Sequence, residues 1–89
     1  MFTREERARA ADAATRGAIG RAMTAYDLTA EQAARAAGLS PRTWRERKAE
    51  PGRFTLAEIR ALYPVMHWTD AEIVGMIRGG HADADHDQH

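Results

Sequence analysis

Eighty-nine residues with 13 Lys and Arg, 13 Asp and Glu and no cysteine allow one domain with a thin apolar core and exclude disulfides and thiolate metal sites. No apolar run approaches the roughly 18–20 residues of a membrane span. The opening MFTREERARA carries charge where a signal peptide needs an apolar centre, so a cytoplasmic protein with no membrane partner is expected. The zero net charge conceals a polarity: residues 35–53 hold six basic against two acidic side chains, +4, and residues 54–89 hold two against six, −4.

In chain order, five segments share one way of starting a helix. A capping box pairs Ser, Thr or Asp at the N-cap with Glu or Gln three residues on, and a hydrophobic staple joins the residue before the cap to the one four after it. Thr3 pairs with Glu6, although Arg7 stands where the apolar staple partner belongs. The helix begun there can run to about Tyr26, with Ile19, Ala22, Met23 and Tyr26 as its core stripe. Its first half offers only alanines on any face, Ala8, Ala11 and Ala14, and reads equally as a solvated extension or a self-association seam. Gly17 and Gly20 between the halves permit a close approach of another helix or mark a break.

Thr29 pairs with Gln32, and a helix over 30–37 ends at Gly38, which supplies the left-handed cap. Ser40 caps a helix over 41–49 that opens on Pro41, a favoured first position, and is stopped by Pro51 and Gly52. Thr55 pairs with Glu58 to start a helix from Leu56 to about Tyr63, expected to turn Leu56, Ile59, Leu62 and Tyr63 inward and to be blocked by Pro64. Thr69 pairs with Glu72, and the helix from Asp70 to about Arg78 ends at Gly79-Gly80. With almost no strand-like alternation, the chain is expected to be all-α.

The remaining HADADHDQH has no apolar periodicity and is expected to be disordered. His81, His86 and His89 have no fixed geometry for a metal. Asp83, Asp85 and Asp87 match the opening spacing of a calcium loop, but Gln88 stands where its glycine belongs and no bidentate glutamate follows. No metal or other cofactor is expected. The organisation is therefore 1–15, an N-terminal helical extension; 16–78, the folded domain; and 79–89, an acidic and histidine-containing tail.

The stretch Thr29–Lys48, TAEQAARAAGLSPRTWRERK, carries the chemistry. Two short helices that cross after a three- or four-residue turn need a small side chain at the crossing, a residue tolerating positive φ in the turn, and a large apolar residue locking the second onto the first. Ala34, Gly38 and Trp44 meet these needs in order, with Leu39 beside the glycine. This spacing resembles the helix-turn-helix of the Cro and repressor-like (XRE-like) superfamily. Over roughly residues 19–77, LTAEQAARAAGLSPRTWRERKAEPGRFTLAEIRAL is similar to small phage-type regulators, including the helix start at Phe54–Leu56. The resemblance implies a five-helix DNA-binding domain, usually dimeric, that acts on transcription.

With Trp44 inward, the 100° step per residue places Arg42, Arg45 and Glu46 on other faces. Arg42 or Arg45 can bond guanine O6 and N7 bidentately, and Glu46 can accept from cytosine N4, so these three are the candidate base readers. Thr43, Lys48, Arg53 and Arg35, with the backbone N–H groups at Thr29 and Ala30, are the candidate phosphate contacts. Against the family pattern, Ala30 replaces a glutamine that contacts phosphate in many relatives, and Pro41 removes a polar side chain at a common base-contact position. Arg47 and Lys48 border the Trp44 face, so one of them is expected to cover the core with its stem.

The expected partner is double-stranded DNA bearing an inverted repeat, bound by a homodimer without a small-molecule substrate. The competing reading is a helix-turn-helix scaffold turned adaptor, binding protein without sequence-specific DNA recognition; zero net charge, Trp68 and the alanine-rich first helix favour it. An enzyme is not expected: apart from His67, every histidine lies in the tail, and His67 has no cysteine or carboxylate pair placed to work with it.

Overall fold

In the computed structural model, residues 3–79 are described. The order is α1 (Arg4–Ala25), α2 (Ala30–Ala37), α3 (Pro41–Ala49), a 3-10 turn (Pro51–Arg53), α4 (Leu56–Met66) and α5 (Asp70–Arg78). No strand occurs among the described residues, and none of their helices is long and apolar enough to cross a membrane. The possible metal ligands and calcium-like spacing at 81–89 lie outside the described residues.

The helix starts form as the spacing requires. Thr3, Thr29, Thr55 and Thr69 each accept from the backbone N–H three residues on, and Glu6, Gln32, Glu58 and Glu72 each accept from the cap's own N–H. Ser40 accepts from the Thr43 N–H, with Pro41 at the first helical position. The ends follow as well. Gly38, at φ 77°, closes α2: its N–H donates to the Arg35 carbonyl at 3.1 Å and the Leu39 N–H to that of Ala34 at 2.8 Å. This double closure satisfies two carbonyls that the helix leaves without partners.

Ten residues form the core: Ala18, Ile19, Ala22, Ala33, Ala34, Ala37, Trp44, Leu62, Met66 and Trp68. Five of them are alanines, so the helices sit close, and the large side chains that fill the remaining space carry most of the apolar burial. Trp44 stacks edge-on against Phe54 with ring centroids 5.8 Å apart. Trp68 is also buried, and its indole N–H donates to the Ala18 carbonyl at 3.2 Å. That contact ties the α4–α5 corner to α1 and removes Trp68 from the residues available to an adaptor surface.

Three expectations change. α4 runs through Pro64 to Met66 rather than stopping at Tyr63. Proline there removes one intrahelical bond, but continuing the helix buries Met66 completely, which offsets the loss. His67, at φ 51°, then ends the helix and lays its ring against Tyr26, centroids 4.7 Å apart. Second, of the four residues expected to face inward from α4, Leu62 is buried and Ile59 partly so, whereas Leu56 is 58% and Tyr63 47% exposed. Third, the first half of α1 is neither solvated on all sides nor interrupted. α5 packs along it, and Gly17 and Gly20 are ordinary helical positions with open space beside them.

Because a Cβ at either glycine meets nothing within 4 Å, Gly17→Ala and Gly20→Ala are each expected to stabilise the fold by about 0.5–1 kcal/mol through helix propensity. Thermal unfolding checks this: a midpoint that falls in either variant contradicts it.

Two capping-box carboxylates also bridge helices. Glu72 accepts from the Thr69 N–H at 2.9 Å and, through both carboxylate oxygens, from the Arg21 guanidinium of α1, the Nη2 bond being 2.8 Å. Those arginine bonds, with the Thr69 N–H helping and burial opposing, hold the Glu72 carboxyl below its ordinary pKa. Glu58 accepts from the Thr55 N–H at 3.0 Å and from Arg47 Nε at 3.1 Å. Burial pushes the Glu58 carboxyl up, but the Thr55 N–H and the Arg47 guanidinium outweigh it, and the net shift is downward.

A folded-state pKa depressed below the unfolded value contributes stability that is full above the unfolded pKa and is lost as pH falls through the folded one. The melting temperature is therefore expected to drop as pH falls from about 5 toward 3, around the ordinary glutamate value of about 4.3. The drop should be shallower in Glu72→Gln. Equal slopes in the two proteins would contradict the assignment.

Candidate nucleic-acid interface

α3 buries one side chain in the core. Trp44 is 0% exposed, and this fixes the rotation of the helix about its axis. Arg42, Arg45, Glu46 and Ala49 are consequently exposed, while Thr43, Arg47 and Lys48 lie half-buried at the edges. Arg47 is the residue that covers the core: its side chain is 22% exposed, paired with Glu58 at 13%, which locks α3 to the start of α4. The indole Nε1 of Trp44 is buried with no hydrogen-bond partner, so the ring is held by shape and by Phe54, not by a polar anchor.

On the exposed face Arg42 Nε lies 3.6 Å from Glu46, with side chains 84% and 59% exposed. An i, i+4 pair in solvent contributes about 0.2–0.5 kcal/mol, far less than the about 1–3 kcal/mol of discrimination that a bidentate base contact supplies. The pair therefore organises two candidate readers without withholding either from a base. Pro41, exposed beside them at the leading end, offers shape and no hydrogen bond.

The phosphate candidates sort differently. The Thr29 N–H is already taken by Gln32 Oε1 at 2.8 Å, so it is not open to a phosphate. The Ala30 N–H, at the first helical position, has no intrahelical partner. The Thr43 hydroxyl oxygen accepts from Ser40 at 3.0 Å, which steadies the start of α3 and leaves its own proton to donate. Arg35 is exposed on α2. Arg53, on the 3-10 turn, lies 3.6 Å from Glu50 with both side chains more than two-thirds exposed. The structural residues fall where the crossing requires them: Ala34 buried, Gly38 left-handed in the turn, and Leu39 packed against the core beside Trp44.

Some contributions to the site had no sequence signal. Arg16 Nη1 donates to the Ala49 carbonyl at 3.5 Å, reaching from α1 to the C-terminal end of α3. Asp27, at φ 54°, ends α1 in the left-handed region with the Leu28 N–H on the Met23 carbonyl at 2.8 Å, which aims the chain into α2. A glycine there would have announced the turn; an aspartate, which tolerates αL less freely, did not.

Two short helices packed through small residues, a left-handed glycine between them, and a second helix with one face buried and the opposite face charged define a helix-turn-helix domain of the DNA-binding regulator class. The chain belongs to the family described as the antitoxin Xre-like helix-turn-helix domain, which it matches over residues 4–64. Comparison with curated proteins and with solved structures gave no match. The family match takes in the first half of α1 and leaves α5 outside, whereas the resemblance read from the sequence alone spans roughly 19–77.

Proposed function

We propose that this protein is a sequence-specific transcriptional regulator that inserts α3 into the major groove as a homodimer, on an inverted repeat whose half-site centres lie about 34–36 Å apart. The observation that carries the reading is the pairing of a fully buried Trp44 with an exposed Arg42, Arg45 and Glu46 face. Arg42, Arg45 and Glu46 read bases. Ala30, Arg35, Thr43, Lys48 and Arg53 hold phosphates, and Thr29 contributes through its cap and not its N–H. A cytoplasmic regulator of a phage or mobile element, acting by binding and not by catalysis, fits this chemistry. The family description adds the possibility of an antitoxin's regulatory domain.

A second reading, a protein-binding adaptor on the same scaffold, is favoured by the family's antitoxin heading and by the acidic partners beside Arg42 and Arg53. Selection of bound DNA from a random pool separates the two. A palindromic consensus supports the regulator; no retention of any DNA at low salt favours the adaptor.

A further inference from the structure

Two clefts meet at Ile77, a side chain left 74% exposed. One, of about 410 Å³, lies between the start of α1 and the end of α5 and is lined by Arg4, Arg7 and Arg78 with Ala8 and Ala11. The other, of about 280 Å³, reaches toward the middle of α1 among Thr15, Phe54, Leu56, Ile73 and Met76. No carboxylate lines either cleft. The one hydroxyl, that of Thr15, donates to the Ala11 carbonyl at 2.8 Å, so the second cleft offers a ligand no free donor. The pair is basic at one end and apolar at the other.

The geometry points to a binding site for a small anionic amphiphile, a carboxylate carrying an unbranched apolar chain. Arg4 and Arg7 hold the carboxylate, and the chain passes Ile77 into the second cleft. The two arginines do nothing for their own helix. Both stand in the first turn of α1, where the helix dipole disfavours positive charge, and Arg7 occupies the position of an apolar staple partner. Among the described residues neither is paired with a carboxylate. Arg78 lines the same cleft, but the head-group contact needs only the two arginines of α1. Asp12 fixes the direction: its carboxylate borders Gly52 at the rim of the second cleft and repels an anion from the apolar end.

Length selects the chain. From Arg7 to Thr15 the groove runs about 12 Å at about 1.5 Å per residue. With carbon–carbon bonds of about 1.5 Å in a zigzag, about eight to ten carbons span it. Phe54 borders the second cleft and stacks edge-on against Trp44, so the far end of the chain touches the ring that seats α3.

The test titrates the full chain with octanoate, decanoate and dodecanoate, each below its micelle concentration, and with decanol, by calorimetry and by NMR of the Ile77 and Met76 methyl groups. One decanoate per chain is expected, with Kd below about 1 mM and shifts at both methyl groups. Affinity should rise about two- to fourfold per methylene from octanoate to decanoate and level off by dodecanoate. Arg4→Ala/Arg7→Ala should weaken decanoate about tenfold and leave decanol unchanged, whereas Ile77→Asp should weaken both. If Ile77→Asp does not fold by circular dichroism, the arginine variant decides alone. Absence of binding at about 1 mM, several molecules per chain, decanol bound as tightly as decanoate, or decanoate indifferent to the loss of both arginines each overturns the inference.

Discussion

Trp44→Ala is expected to cost about 3–5 kcal/mol, the range for truncating a buried aromatic, and so to leave the domain largely unfolded at 37 °C. Total stability of a domain this small stands at the lower end of about 5–15 kcal/mol, and half of the core is alanine, so nothing nearby can close the cavity. Trp44→Phe should behave differently. It keeps a ring against Phe54 and removes an indole N–H that is buried without a partner, a group whose burial costs about 1–3 kcal/mol. The volume loss and the relieved polar group oppose each other, and the net change should stay within about 2 kcal/mol. Urea unfolding followed by helical circular dichroism measures both. A Trp44→Ala protein with near wild-type stability would mean that Trp44 is not what holds α3.

The second large effect falls on Gly79, and a sister glycine isolates its cause. Gly38 and Gly79 both close helices at positive φ, 77° and 74°. A Cβ at Gly38 meets nothing within 4 Å, whereas one at Gly79 would overlap the backbone carbonyl of Arg7. Gly38→Ala should therefore cost only the left-handed strain, about 1–2 kcal/mol. Gly79→Ala should cost clearly more, because α5 must move off the first half of α1 or the two backbones collide. Equal losses in the two variants would show that the α1–α5 approach contributes nothing.

Local chemistry was legible in the sequence and long-range pairing was not. The capping boxes at Thr3, Thr29, Thr55 and Thr69 are interactions over three residues, so residue identity and spacing suffice to find them. The same holds for Gly38 and for Trp44, whose roles follow from the needs of a short helix pair. Pro64 does not stop α4, because the rule against proline in a helix is local while the burial of Met66 that overrides it is tertiary. Leu56 and Tyr63 stay exposed for a related reason: α4 is apolar on more faces than the fold covers. The second roles of Glu58 and Glu72 depend on Arg47 and Arg21 arriving from other helices. No periodicity within one helix encodes that.

For the candidate site, burial of Trp44 follows from its residue type and the needs of the crossing, and exposure of Arg42, Arg45 and Glu46 then follows from the helical step. The Thr29 N–H was the exception. Its capping box is legible in the sequence, yet the box itself consumes the donor expected to meet a phosphate. A residue that satisfies a helix end cannot offer the same N–H to DNA.

The central claim is that α3 reads base sequence, and the most direct measurement is salt-dependent DNA binding by Arg45→Ala beside Lys48→Ala, each on the selected site and on a scrambled one. Arg45→Ala should lose about 1–3 kcal/mol on the selected site and little on the scrambled one, relaxing preference at one base position. Lys48→Ala should weaken both DNAs alike and lower the slope of affinity against salt by about one. Equal, sequence-independent losses in the two variants would contradict base reading by α3.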